Sequence, residues 1–288
     1  MRKITLLVVV FFLSLQLFAQ KDLIIHNAKS YRFKSSVNNK QYILGVSVPE
    51  NYDPNKKYPV CYILDGYYTA DIAHGIHKNL QFFNDIEDVI IVTIAGNEKN
   101  KNEWFINRWS DYTFTNDPKF DTSAVRIYQL PANSLLSGKG DLFLEVIKTE
   151  IIPLIENKYS TNGKRGISGH SLGGLYVGNL MFKANDIFEK FGVNSPSFKS
   201  WNNNDIRLTE KEYSKNHTEL KAKAILTFGG SENVNNINNL KEYEAILKEH
   251  YKGLDITNII FEGETHASVV AAMISRNLMY LYPNISKK

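Results

Sequence analysis

The sequence predicts an α/β fold with a mainly parallel central sheet flanked by helices. Two observations carry that reading. "PVCYILDG" at 59–66 and "VIIVTIAG" at 89–96 are short, continuous apolar runs ending in glycine, the pattern of strands buried on both faces. Such runs alternate with helix-length amphipathic segments along most of the chain. With 288 residues, 43% hydrophobic and 12% aromatic, one large core is expected, and residues 21–288 are read as a single domain.

The first twenty residues stand apart. "MRK" is a positive start, "ITLLVVVFFLSLQLF" an apolar stretch, and a cut is expected after Ala19 or Gln20. Residues 1–20 are therefore read as a signal peptide, too short for a comfortable membrane span and followed by no other long apolar run. The mature protein is expected in the periplasm or outside the cell, with no membrane attachment. Lys and Arg number 34 against 30 Asp and Glu; losing Arg2 and Lys3 leaves an excess of about two. Without a dense basic cluster interleaved with aromatics, nucleic acid is not an expected partner. Cys61, the only cysteine, lies inside a strand-like run and reads as a small core residue.

After the leader, "LIIHNAKSYRF" and "QYILGVSVP" read as two early strands, and "ADIAHGIHKNLQFF" as a crossover helix between the two central ones. Residues 97–140 are polar, aromatic and broken by Pro and Gly, and read as a long loop system near the working face. A helix over 141–159, a short strand at 165–168, a helix over 172–184 and a strand with its following loop over 188–197 come next. The end repeats the alternation: strand 222–230, an Asn-rich loop Ser231–Asn239, helix 238–253, strand 256–263, helix 266–282.

The chemistry concentrates in "RGISGHSLGGLYVG", 165–178. Gly169-His170-Ser171-Leu172-Gly173 is a G-x-S-x-G match placed between a predicted strand and a predicted helix. On such a turn glycines avoid clashes that a Cβ would cause, and the serine hydroxyl projects from it. The helix after Ser171 directs its positive end at the site. Serine needs a base, and in the order Ser, acid, His the base follows the last strand. His266 in "FEGETHASVV" sits there. His217 and His250 lie in charged helical segments, and His170 adjoins the nucleophile and cannot easily turn a ring nitrogen onto Oγ. Glu232, just beyond the preceding strand, is placed to orient His266; a Ser–His dyad without it also fits the sequence. Glu262 and Glu264 are too near His266 to fold back, and Asp205 comes too early. One oxyanion N–H is expected from Leu172 and the other from Gly66 or Tyr67 in "LDGYY". No cofactor is needed. Asp71, His74 and His77 walk around a helix and are not read as a metal site.

At these residues the chain resembles the putative-esterase family of α/β-hydrolases, which includes esterase D, feruloyl and acetyl-xylan esterases, mycolyltransferases and catecholate-siderophore trilactone esterases. The similarity runs from about Gln41 to Tyr282. "YPVCYILDG", "NRWSDYTFT", "GISGHSLGGLYVGNLMFK", "FGVNSPSFKSW" and "FEGETHASVV" resemble the siderophore-esterase branch in combination. The resemblance implies an α/β-hydrolase fold, Ser171 as nucleophile and His266 as base. It implies a small-molecule or glycan-linked ester as substrate, first a ferric catecholate trilactone, then an acyl ester on polysaccharide. Acyl transfer and a non-catalytic binding module are the other readings. Tyr67, Arg108, His170 and Trp201 are the candidate pocket residues, with Arg108 and Asp111 also expected to pair and brace their loop. The sequence sets no oligomeric state.

Overall fold

A computed structural model describes residues 25–196 and 205–287. The expected leader and Trp201 lie outside them. Strands β1 (Ala28–Lys34) and β2 (Gln41–Ser47) pair antiparallel, and β2 runs antiparallel to β4 (Ile90–Gly96). From β4 onward the sheet is parallel, through β3 (Tyr58–Ile63), β5 (Thr161–His170), β6 (Lys190–Asn194), β7 (Glu219–Gly229) and β8 (Lys252–Phe261). Across the sheet the order is β1-β2-β4-β3-β5-β6-β7-β8. The chain steps from β3 to β4 on one side, then returns to place β5 on the other. Such a reversal opens a crevice beyond the carboxyl ends of β3 and β5, where α/β sheets bind ligands.

Helices cover both faces because the central strands alternate apolar side chains to both. In β3, Cys61 and Ile63 pack under α1 (Gly66–Phe82) and α9 (Val269–Leu281) with Ala73, Leu80, Met273 and Ile274. Val60 and Tyr62 face the larger core, shared with α6 (Leu172–Lys183) through Leu175 and Val177 and with α8 (Val234–His250) through Leu240 and Leu247. This is the α/β-hydrolase arrangement the sequence predicts.

Three local expectations are corrected. The loop system at 97–140 contains α2 (Lys101–Asp111) and α3 (Pro118–Ile127). Asn100 starts the first by accepting hydrogen bonds from the Asn102 and Glu103 N–H groups, and Glu103 reaches back to the Lys99 N–H. Asp117 caps the second ahead of Pro118 at its first position. The Asn-rich Ser231–Asn239 is mostly the first turns of α8, capped by Asn233. The helix expected over 141–159 is α4 (Gly140–Val146), a π turn Ile147–Ile151 and α5 (Ile152–Lys158). The wider turn falls just before Pro153, which has no N–H to give and whose ring would crowd an α-helical carbonyl. α7 (Ile206–Tyr213) and a short 3₁₀ turn, Ile285–Lys287, complete the described helices. No helix among the described residues is long and apolar enough to cross a membrane.

Candidate active site

Four neighbouring strands, β5 to β8, each end in a residue of one cluster: Ser171, Ser195, Glu232 and His266. Ser171 has φ 60° and ψ −116°, a conformation that costs a non-glycine residue on the order of 1–3 kcal/mol. Its backbone is held by an N–H bond to the Asn194 carbonyl at 2.9 Å, while its hydroxyl makes no cap bond to the helix it begins. Two glycines permit the turn. A Cβ on Gly169 would lie 2.3 Å from the Gly173 carbonyl oxygen, and one on Gly174 2.3 Å from that of Asn194.

His266 donates from Nδ1 to Glu232 Oε2 at 2.6 Å. The imidazole is 49% exposed and the carboxylate 7%. Burial pushes the Glu232 pKa up, but hydrogen bonds from His266, Ser195 and the Gly229 N–H outweigh it and hold the carboxyl below its usual range. With the acid ionised, Nδ1 of a neutral His266 carries the proton and Nε2 is left as the basic atom. The loops bearing the two residues are stitched by Gly230 N–H to Phe261 O at 2.7 Å and Ser231 N–H to Glu264 O at 2.9 Å. His170, next to Ser171, brings its ring centroid 4.5 Å from that of His266. Burial, and then the neighbouring His266, push His170 down to about 3, so it is neutral at any working pH. Its Nδ1 meets the Tyr68 hydroxyl at 3.1 Å.

On the other side of Ser171, Asp65 closes β3 in the left-handed region (φ 59°) and begins α1. The first N–H groups of a helix have no partner within it, so those of Gly66 and Tyr67 in α1 and Leu172 in α6 are the unspent donors of two adjoining helix starts. The starts touch: a Cβ on Gly173 would sit 3.0 Å from Asp65 Oδ2 and 3.7 Å from Leu64 Cβ.

Arg108 does not pair with Asp111. It forks onto Asp65, Nε to Oδ1 at 2.8 Å and Nη2 to Oδ2 at 2.9 Å, and Nη2 also donates to the His170 carbonyl at 3.1 Å. Asp111 is taken by Lys40. Arg108 thus braces the β3–α1 turn against the residue before the nucleophile, and it also lines a cavity of about 240 Å³ beside Trp104, Glu98 and Tyr112. Tyr67 is 43% exposed, stacked on Trp104 at 6.3 Å; Tyr68 meets Trp104 edge-on, and the Arg108 guanidinium lies 4.7 Å from the same indole.

The sequence reading missed Asp65, Asn194 and Ser195. The signals were present in "LDG" and "NSPS", polar residues at the ends of apolar strands. His217 stacks on Tyr213 and His250 binds Glu210, both away from the cluster. His74 and His77 turn their Nδ1 atoms to Ser47 Oγ at 2.8 and 3.0 Å. Among the described residues no three His, Cys, Asp or Glu side chains group to hold a metal ion.

A family model described as putative esterase matches residues 35–251, about three quarters of the chain. The chain is 28% identical over 269 residues to the ferri-bacillibactin esterase BesA of Bacillus subtilis, covering 88% of this chain and 89% of that protein. Among solved structures it resembles the BES protein from Bacillus cereus, with TM-score 0.77 at 24% identity over 92% of this chain and 98% of the other. The siderophore hydrolase EstB from Aspergillus nidulans gives TM-score 0.76 at 18% identity, covering 92% and 99%. These two likenesses establish the shared fold.

Proposed function

The chain belongs to the putative esterase family, and from that membership we propose that it is an exported serine esterase working through an acyl-enzyme. Ser171 attacks the ester carbonyl, and His266 Nε2 takes the hydroxyl proton and returns it to the leaving alkoxide. Glu232 holds the ring by its Nδ1–H. The N–H of Leu172, with that of Gly66 or Tyr67, steadies the oxyanion. Water then attacks the acyl-enzyme, giving its proton to the same Nε2, and frees the acid and Ser171. All the groups needed are side chains and backbone of this chain.

One observation carries the reading: the 2.6 Å bond from His266 to Glu232, made by loops of adjoining strands beside the strained Ser171 turn. The substrate we assign is a ferric catecholate trilactone or a related ester of an aromatic acid. The exposed Tyr67 ring, backed by Trp104 and next to the oxyanion donors, offers a flat apolar face for such an acid. The names of BesA and EstB point the same way. Export rests on the leader at residues 1–20, with residues 21–288 as the mature single domain.

The test uses residues 21–288, with Ser171→Ala and His266→Ala beside the parent. Each substitution should lower p-nitrophenyl acetate turnover by about 10⁴-fold or more with the fold kept. Parental turnover in either variant would sink the assignment. Chromatography of an iron-loaded catecholate trilactone, run beside feruloylated and acetylated xylan fragments, then reads the substrate. Serine-dependent opening of the trilactone alone supports the assigned class, and release only from the glycans replaces it.

A further inference from the structure

We propose that Ser195 is a positioning residue for the carboxylate of Glu232, extending the relay to four side chains on four adjacent strands. The inference rests on the esterase reading above and deepens it. Ser195 leaves the end of β6, between the strand that carries Ser171 and the strand that carries Glu232. It is 1% exposed, and its Oγ donates to Glu232 Oε1 at 2.6 Å, the length of a hydroxyl bonded to an ionised carboxylate. The same oxygen accepts the Gly229 N–H at 2.8 Å, while Oε2 is left to His266. The two oxygens are thereby distinguished, and the carboxylate plane cannot turn without losing a bond.

Ser195 is itself fixed. Its N–H bonds to the Thr227 carbonyl at 2.7 Å, and its φ of 42° lies in the left-handed region that favours glycine. A serine kept in a backbone that glycine would suit better points to use of the hydroxyl. The preceding Asn194 anchors the strand end. Its amide donates to the Ser168 hydroxyl and the Gly169 carbonyl at 3.1 and 2.8 Å, and its Oδ1 accepts from Thr227 and Asn277 at 2.8 and 3.0 Å. Its own carbonyl takes the Ser171 N–H, so one buried strand end sets both the nucleophile and the acid. Ser195 cannot serve as a second nucleophile, since its proton is committed to Glu232 and its side chain is enclosed.

The experiment compares Ser195→Ala and Ser195→Gly, alone and in a Glu232→Ala background, with p-nitrophenyl acetate. Glycine tolerates the left-handed backbone, so Ser195→Gly keeps the fold even where alanine strains it. Both single variants should lose about tenfold to a hundredfold in kcat, the worth of a hydrogen bond to a charged group, with KM unchanged. In the Glu232→Ala background the same changes should cost nothing more. The downfield proton resonance of His266 Nδ1–H should also move in both single variants, which a merely structural role would leave in place. Unaltered kcat in the single variants, or equal losses in both backgrounds, would overturn the role of Ser195 while leaving the esterase reading intact. Full activity in Glu232→Ala would overturn both the acid and its positioning residue, and activity in Ser171→Ala would reject the parent mechanism itself.

Discussion

Arg108 spends its guanidinium on two partners that belong to different halves of the site: the Asp65 carboxylate in the β3–α1 turn and the carbonyl of His170 beside the nucleophile. Both charges are buried. The burial alone would lower the Arg108 pKa, but Asp65 more than reverses it and keeps the group charged. Removing one member of such a pair leaves a buried charge without compensation, a loss of about 3–5 kcal/mol. Arg108→Ala should therefore lower the urea midpoint by that equivalent and cut esterase activity with it. Arg108→Lys should recover little, because an ammonium cannot make the fork. Asp65→Asn in the Arg108→Ala background should restore part of the stability, since it removes the stranded charge. A parental urea midpoint in Arg108→Ala would reject the brace. At this scale the sequence is uneven evidence. The places of Ser171, Glu232 and His266 relative to predicted strand ends were readable, because each follows an apolar run through a short polar turn. The partner of Arg108 was not, because Asp65 lies 43 residues away and only the packed fold brings it near. Asp111, only three positions from Arg108 in the same segment, was the nearer and wrong choice.

Among the elements, α1 carries an apolar face broken by two histidines, and both are enclosed against β2 and β4. Ser47 Oγ bridges their Nδ1 atoms, and Thr93 Oγ1 stands 3.4 Å from His74 Nε2. His26, Glu50 and Lys78 line the small cavity alongside. Burial lowers His74 from 6.5 to about 4 against the pull of Asp71, and burial with the neighbouring His74 lowers His77 to about 4 as well. Both rings are thus neutral in the folded chain where the unfolded chain would protonate them. Stability is full above pH 6.5 and is lost as pH falls toward about 4, on the order of 3 kcal/mol per ring. The melting temperature should drop between pH 7 and pH 4.5, and His74→Gln with His77→Gln should flatten that slope. An unchanged slope in the double variant would assign the acid sensitivity to other groups. The same elements show where local signals were and were not used. Asn100 with Glu103, Asp117 with Pro118, and Asn233 are helix starts that could have revealed α2, α3 and the true beginning of α8. Aromatic crowding at 97–140 and the run of asparagines at 233–239 hid them, since neither composition favours a helix and packing decides instead.

Across the whole molecule, the alternation of strands and helices made the parallel sheet readable, whereas the order β4-β3-β5 was not. It depends on which side of β3 each crossover returns to, and no local pattern encodes that. The arrangement places β3 between two parallel neighbours, with both faces under helices, so Cys61 lies at the centre of the sheet and is 1% exposed. Burial pushes its thiol up to about 12, against weaker downward pulls from Tyr282 and Lys190. A thiol so placed reacts only when the sheet around it opens, which ties its chemistry to the stability of the entire domain. With a single cysteine the chain has no internal disulfide, and a reductant should leave the melting temperature unchanged. A thiol-specific dye should leave the folded protein unlabelled over a time in which the urea-unfolded chain reacts completely. At intermediate urea the logarithm of the labelling rate should rise with the same denaturant slope as global unfolding measured by circular dichroism. Labelling in water that is fast and indifferent to urea would mean that β3 opens on its own, and that the strand leading into the Asp65 turn is not part of the cooperative core.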